Sequence, residues 1–193
     1  MKFVIVTGLS GSGKSETMRA LEDMGFYCVD NLPPALITKF AELCYLPNSS
    51  IDKVALGVDI RSRKFFKALH ESLNYLKKAN YKYEMVYLDC SDDVLLKRYK
   101  MTRRNHPLSS TMQIPEGIQM EREIMEPLKE ISDCIIDTTN MKPKDLKEEI
   151  DKKGAKVTSA FGIPGTYSVV VNINKDISFS KKINNRVFED MVT

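Results

Sequence analysis

The chain has 193 residues, of which 42% are hydrophobic and 28% are charged, and its net charge at pH 7 is +3. This composition is typical of a globular protein and predicts one domain, or one domain with a short appendage. The small net charge neither indicates nor excludes nucleic acid as a partner. No apolar run approaches the roughly 18 residues of a membrane span, so we expect no membrane association and a cytoplasmic location.

Strands and helices alternate along the first half of the chain. Phe3–Thr7 is a continuous β-branched run, typical of a strand buried on both faces, and the amphipathic helix Lys14–Met24 follows it. The next predicted elements are strand Phe26–Val29, helix Pro34–Leu46, strand Lys53–Ile60 and helix Lys64–Asn80.

The second half continues the alternation. The predicted elements are strand Tyr83–Cys90, helix Asp92–Met101 with Ser91 as its N-cap, helix Glu116–Glu130, strand Cys134–Asp137 and helix Pro143–Lys153. Between them, Thr102–Pro115 lacks periodicity and is predicted to be a long loop or lid. After Gly154 the pattern changes, although Tyr167–Ile173 is β-rich.

One motif carries chemistry. Gly8-Leu9-Ser10-Gly11-Ser12-Gly13-Lys14-Ser15 fits G-x-x-x-x-G-K-[ST], with a strand before it and a helix after it. In a loop of this kind, backbone N–H groups turn inward around phosphate oxygens, and the lysine reaches the β- and γ-phosphates. The hydroxyl of Ser15 is placed to ligate Mg²⁺. The sequence therefore predicts a nucleoside triphosphate site.

The element pattern and the motif together predict an α/β fold. Five parallel strands with helices on both faces form the three-layer sandwich of a kinase-like P-loop NTPase. We expect a nucleotide-binding domain at residues 1–153 and a short, divergent appendage at residues 154–193.

A second magnesium ligand is expected at the end of a neighbouring strand. Asp59 is favoured, since a cation and a hydroxyl follow it in Asp59-Ile60-Arg61-Ser62, and Asp89 is the alternative. Asp30, at the end of the second strand, could orient a substrate hydroxyl or a water molecule, or form only an Asx-turn.

A basic segment follows the fourth strand. It contains Lys97, Arg98, Arg103, Arg104 and His106. Its arginines could stabilise transition-state charge, grip RNA phosphates, or form a solvated helix end. His106 has no partner acid or base nearby in the sequence and is not predicted to be catalytic. The predicted catalytic residues are Lys14, Asp59, Arg61 and Arg103, and the predicted nucleotide contacts are residues 8–15 and 59–62.

Several blocks resemble the RapZ/YvcJ family of RNase adapter proteins. They are the loop residues 8–15, the string from Ala20 to Pro33 that contains Asp-Met-Gly-Phe-Tyr-Cys-Val-Asp-Asn-Leu-Pro, Asp59-Ile60-Arg61-Ser62, Thr102-Arg103-Arg104-Asn105-His106-Pro107-Leu108-Ser109, Glu126-Pro127-Leu128 and Ile136-Asp137-Thr138. They occur in order between Lys2 and about Glu149.

The resemblance implies binding and slow hydrolysis of ATP and GTP with Mg²⁺. It also implies, for some members, a homo-oligomer and an adapter role that presents a small RNA to a ribonuclease. Family members carry a substantial second domain, whereas only residues 155–193 follow Gly154 here, so a short or divergent form is expected. The alternative function is a small-molecule or nucleotide kinase, since the fold and Asp30 also suit transfer of the γ-phosphate to a hydroxyl.

Overall fold

The computed structural model describes residues 1–46, 49–59, 63–103, 106–108, 113–157 and 169–171. Its strands are β1 (Lys2–Gly8), β2 (Tyr27–Val29), β3 (Lys53–Gly57), β4 (Glu84–Asp89), β5 (Cys134–Asp137) and β6 (Val169–Val171). Its α-helices are α1 (Lys14–Asp23), α2 (Ile37–Cys44), α3 (Arg63–Lys78), α4 (Asp92–Thr102), α5 (Ile114–Ile131) and α6 (Pro143–Val157), and a 3-10 turn at Pro34–Leu36 leads into α2.

The strands form one parallel sheet in the order β2-β3-β1-β4-β5-β6. β1 lies between β3 and β4, with Ile5 level with Leu56 on one side and Met85 on the other. The carboxyl ends of parallel strands meet at one edge of a sheet, which is where open α/β sheets bind their ligands. The segments that follow β1, β3 and β4 are therefore neighbours.

Helices cover both faces of the sheet. On one face, Phe3 and Ile5 of β1 join a buried apolar cluster with residues of α2, α3, α4 and α5. On the other face, Val4 and Val6 pack with residues of α1 and α6. Alternate residues of β1 thus face opposite layers, which explains why the strand is apolar throughout.

The predicted fold class is confirmed. All five predicted strands are present in a parallel sheet between two helical layers. The sheet also has a sixth strand, β6, which pairs with β5 and falls within the β-rich run Tyr167–Ile173 that the sequence prediction left outside the sheet. None of the helices in the described part of the chain is long and apolar enough to span a bilayer.

The predicted loop Thr102–Pro115 is shorter than expected at both ends. α4 takes in the first residue of this range, and α5 begins at Ile114. Pro115 fits the first turn of a helix, where its missing N–H leaves no bond unmade. The N–H of Gln113 donates to Glu116 Oε2 at 3.2 Å, which stabilises this turn. The middle of the range lies partly outside the described residues.

Ser91 occupies the predicted N-cap position of α4. Its backbone is extended there, and its carbonyl accepts the N–H of Leu95 at 2.9 Å. Ser91 is therefore the N-cap residue, as predicted, although its side chain makes no capping hydrogen bond.

All four cysteines lie in the described part of the chain, and none of them forms a disulfide. Cys44 and Cys90 are buried, and Cys28 and Cys134 are half-buried. Burial, helped by two neighbouring carboxylates, raises the pKa of Cys28 to about 11. That thiol is therefore protonated and unreactive at neutral pH.

Gly8 ends β1 against β4. Its φ is +140°, and a Cβ built there would lie 2.2 Å from the carbonyl oxygen of Leu88. No other residue type can occupy both this conformation and this space. Gly8 therefore fixes the point at which the chain leaves the sheet.

We expect Gly8→Ala to lower the free energy of unfolding by about 3 kcal/mol, through backbone strain and overpacking against β4. Gly25→Ala is the matched control: its φ is also positive, at +82°, but no atom lies within 4 Å of the added Cβ. The control should lose only about 1 kcal/mol. Urea unfolding measures both, and equal losses would contradict the close approach of Gly8 to Leu88.

Candidate functional site

The glycine-rich loop, residues 8–15, joins β1 to α1 at the carboxyl edge of the sheet. Gly11 and Gly13 have φ of +86° and +110°, which side chains with a Cβ adopt with strain. The N–H of Ser12 turns back to the carbonyl of Leu9 at 3.0 Å. The chain then enters α1 at Lys14, so the positive end of that helix faces this edge.

A cavity of about 450 Å³ lies over this loop. Its volume is in the range of small-molecule sites. The loop and the first turn of α1 form one wall, and α4 forms another. The lining residues are Ser10, Gly11, Gly13, Lys14, Ser15, Glu16, Asp59, Arg98, Tyr99, Thr102 and Pro107.

Lys14 and Asp59 form an ion pair in this cavity. Lys14 Nζ is 2.9 Å from Asp59 Oδ1, and the two side chains are only 12% and 22% exposed. The same ammonium donates to the carbonyls of Gly8 at 2.8 Å and Leu9 at 3.1 Å. The lysine thus points into the loop, with a carboxylate of the neighbouring strand end beside it.

Side chains from distant elements hold the carbonyls of the loop. Arg98 Nη1 on α4 donates to the carbonyl of Gly11 at 2.9 Å, and its Nη2 donates to the carbonyl of Thr138 at 2.9 Å. The hydroxyl of Thr138, just after β5, donates to the carbonyl of Ser12 at 2.7 Å. These contacts tie the loop to α4 and to the end of β5.

A buried carboxylate also contacts the loop. The N–H of Ser10 lies 3.1 Å from Glu121 Oε1 and 3.0 Å from Oε2, and the Ser10 hydroxyl lies 2.6 Å from Oε1. His106 Nε2 is 3.0 Å from Glu121 Oε2. The side chains of His106 and Glu121 are 0% and 4% exposed. A carboxylate, an imidazole and the loop are therefore joined inside the protein.

Sequence reasoning missed this cluster. It found no partner for His106 because the partner lies 15 residues away on another element, and it assigned no role to Glu121 or Thr138. One signal was available. Gly117 lies inside a predicted helix, where glycine lowers helix stability by about 1 kcal/mol relative to alanine, so its presence indicates that another residue packs closely against it. Arg98 was predicted only as a member of a basic segment, for which three different roles were left open.

Asp89, the alternative magnesium ligand, lies in a different network. Arg122 Nη1 is 3.0 Å from Asp89 Oδ1, and Lys129 Nζ is 2.7 Å from Oδ2. Burial works to raise the pKa of Asp89, but the hydrogen bond and charge of Lys129, with further hydrogen bonds from the Cys90 N–H and Arg122, outweigh it and hold the pKa below its usual range. Asp89 is not among the lining residues of the cavity.

Other predicted residues fall outside the cavity or outside the described residues. Arg103 is exposed at the end of α4 and is not among the lining residues. Asp30 Oδ1 accepts the N–H of the adjacent residue, Asn31, at 2.8 Å, whereas the predicted Asx-turn is defined by a bond to the N–H two residues on. The predicted contacts Ile60, Arg61 and Ser62, and Arg104 of the basic segment, lie outside the described residues.

The oxygen donors on the cavity wall suit a hard cation. Ser15 and Asp59 both line the cavity, and Mg²⁺ is commonly held by one or two protein oxygens together with ligand phosphates. Among the described residues, no group of three or more His, Cys, Asp or Glu side chains forms a metal site by itself. The residues present therefore fit Mg²⁺ that arrives with a phosphate ligand.

Several solved structures share the fold. A shikimate kinase from Acinetobacter baumannii, solved with shikimate, superposes with a TM-score of 0.55 at 18% identity and covers 84% of this chain and 96% of its own. A gluconokinase from Sinorhizobium meliloti 1021 gives a TM-score of 0.52 at 21% identity, covering 82% and 94%. At these identities the likeness shows a kinase-like fold and no more.

Sequence relatives match over most of this chain. A nucleotide-binding protein of Clostridioides difficile (strain 630) is 90% identical over 152 residues, which are 79% of this chain and 53% of that protein. A nucleotide-binding protein of Clostridium kluyveri is 56% identical over 152 residues, 79% and 52% respectively. The chain spans about half the length of the curated relatives it matches.

The family comparison agrees with these relatives. Residues 1–156 match the model described as the RapZ-like N-terminal domain. This range contains the glycine-rich loop and every lining residue of the cavity, and it agrees with the resemblance drawn from the sequence. The chain belongs to the family of RapZ-like N-terminal domains.

Proposed function

We propose that this chain binds a nucleoside triphosphate with Mg²⁺ at the glycine-rich loop and hydrolyses it slowly, as a regulatory nucleotide-binding protein. The observation that carries the proposal is the Lys14–Asp59 pair at 2.9 Å, on the wall of a cavity of about 450 Å³ over that loop. The names of the relatives, which describe nucleotide-binding proteins, support it.

The loop offers what a phosphate chain needs. Its glycines allow backbone N–H groups to point at phosphate oxygens, and the start of α1 adds a positive helix end. Lys14 Nζ donates to two neutral carbonyls, which are weaker acceptors than phosphate oxygens. We propose that the ammonium turns from these carbonyls to the β- and γ-phosphates of the ligand.

Ser15 and Asp59 are the proposed holders of Mg²⁺. In such sites the metal neutralises charge that develops on the transferring phosphoryl group. Lys14 would stabilise the same developing charge, and we propose that Arg61 and Arg103 also stabilise it. We propose both ATP and GTP as ligands, because the groups that line the loop recognise phosphates, which the two nucleotides share.

We expect Lys14→Ala to reduce Mg²⁺-dependent phosphate release from ATP and GTP by about a hundredfold, since it removes the ammonium proposed to bind the β- and γ-phosphates. Its thermal unfolding should stay close to that of the wild type. Lys39→Ala, which removes an exposed lysine of α2, is the control and should keep full activity. Unchanged turnover in a folded Lys14→Ala protein would refute the proposed role of the loop.

Substitution of the two candidate aspartates separates their roles. We expect Asp59→Asn to raise the Mg²⁺ concentration for half-maximal hydrolysis at least about tenfold, since amide oxygens bind Mg²⁺ more weakly than carboxylates. Asp89→Asn should leave this concentration unchanged, because Asp89 pairs with Arg122 and Lys129. A larger effect at Asp89 than at Asp59 would show that the ligand assignment is wrong.

A second candidate function is phosphoryl transfer to a hydroxyl acceptor, which the position of Asp30 favours. Asp30 directly follows β2, and its carboxylate packs against Gly57, two residues before Asp59 in the chain. A carboxylate at this edge could orient an acceptor hydroxyl.

An acceptor panel decides between the two functions. If the chain is a kinase, one nucleoside or sugar should receive the labelled γ-phosphate, and Asp30→Asn should lower this transfer by about a hundredfold. Asp52→Asn, at an exposed position, should not change it. If the chain is a regulatory NTPase, the label should appear only as inorganic phosphate, whichever compound is added.

Other expectations remain proposals that rest on family membership. They are an RNA or ribonuclease partner and a homo-oligomer. The domain boundary between residues 153 and 154 also stays a proposal; it rests on the change of pattern after Gly154 and falls within α6. RNA binding through phosphate contacts would fall steeply as salt is raised.

A further inference from the structure

We infer that Glu121 is a positioning residue for the glycine-rich loop, and that His106 holds the Glu121 carboxylate in the required orientation. This inference deepens the proposed function and rests on it, since the loop is the proposed phosphate site. Neither residue lines the cavity, so they act through Ser10 and not by contact with a ligand.

The Glu121 carboxylate accepts hydrogen bonds from Ser10. Both of its oxygens lie within 3.1 Å of the Ser10 N–H, and Oε1 is 2.6 Å from the Ser10 hydroxyl. Ser10 is the third residue of the loop and lines the cavity. Hydrogen bonds to an ionised acceptor are about twice as strong as neutral ones, and burial strengthens them further. The backbone N–H of Ser10 is thereby fixed away from any ligand, which sets the path of the loop.

The hydrogen bonds of His106 define its tautomer. The N–H of Leu108 donates to His106 Nδ1 at 3.2 Å, so the ring proton is on Nε2. Nε2 then donates to Glu121 Oε2 at 3.0 Å. The buried carboxylate therefore accepts from three donors: the Ser10 N–H, the Ser10 hydroxyl and the His106 imidazole. This number suits a charge that is removed from water.

Gly117 makes room for the imidazole. A Cβ at this position of α5 would lie 2.8 Å from His106 Nδ1 and 3.1 Å from Cγ. The ring is buried and bonded on both nitrogens, so it cannot move without losing one of those bonds. Glycine within a helix costs about 1 kcal/mol relative to alanine. The close packing of His106 on α5 accounts for a glycine at this position.

These contacts connect the loop to the chain beside a lining residue of the cavity. Pro107 lines the cavity, and His106 is adjacent to it. Loss of the bond from His106 would leave Glu121 without one of its donors and so weaken its hold on Ser10. We therefore expect the orientation of the loop to depend on the position of the His106 ring.

Glu121→Gln tests the inference directly, with Glu123→Gln, at an exposed position of the same helix, as its control. A glutamine amide is uncharged and has one acceptor oxygen in place of two, so the hydrogen bonds from Ser10 weaken and at least one of the three donors loses its partner. In the nucleotide-free protein, we expect hydrogen exchange of the Ser10 amide, measured by NMR, to become at least about tenfold faster in Glu121→Gln only. We expect the Kd of ATP with Mg²⁺ to rise about tenfold in the same variant.

Substitutions of His106 and Gly117 test the contact between His106 and Glu121 and the packing of the imidazole against Gly117. His106→Gln keeps an N–H donor for Glu121 and should restore most of the affinity lost in His106→Leu. Gly117→Ala should weaken ATP binding although alanine is the better helix former, because its Cβ displaces the imidazole. These variants also replace Glu121→Gln as the test if that protein fails to fold.

The outcomes separate this inference from the proposed function. Unchanged exchange and unchanged Kd in Glu121→Gln would overturn the inference, and so would equal effects in Glu123→Gln. Equal affinities of His106→Gln and His106→Leu would overturn the part assigned to His106. If the wild type binds no nucleotide, the proposed function fails and the positioning role fails with it, while the exchange of Ser10 still reports whether Glu121 holds the loop.

Discussion

The glycine-rich loop has to satisfy backbone groups that its own curvature leaves without helix or sheet partners. Turning N–H groups toward a ligand leaves carbonyl oxygens pointing into the protein, and buried carbonyls need donors. Lys14 donates hydrogen bonds to the carbonyls of Gly8 and Leu9. Arg98 donates to the carbonyl of Gly11, and the hydroxyl of Thr138 donates to the carbonyl of Ser12. The loop therefore depends on α4 and on the end of β5, and its shape is a property of the whole carboxyl edge of the sheet.

The sheet order provides these partners. β1 lies between β3 and β4, so the ends of both neighbours flank the loop, and β5 lies one strand further. Asp59 follows β3 and reaches Lys14, whereas Asp89 at the end of β4 is occupied by Arg122 and Lys129. Two carboxylates with similar sequence contexts thus receive different surroundings, which strand spacing alone does not reveal.

The features that sequence patterns predicted correctly are encoded within a few neighbouring residues. The β-branched run of β1 and the alternation of strands with helices predicted the fold class, and the loop motif predicted the glycine-rich loop that lines the cavity. The contacts between Ser10 and Glu121 span 111 positions, and those between Thr138 and Ser12 span 126, so no spacing rule predicts them. The boundaries of α5 and the place of β6 were missed because Pro115 and a three-residue strand give weak signals.

β6 determines which strand forms one edge of the described sheet. Its three residues pair with Cys134, Ile135 and Ile136, so β5 has partners on both sides. A chain that ended after α6 would keep the glycine-rich loop and the side chains that donate hydrogen bonds to it. One side of β5 would then be left with unpaired N–H and C=O groups. Such an edge is a template for another chain. β6 thus moves this edge of the described sheet from the four residues of β5 to its own three, and a shorter edge strand is a weaker template for another chain.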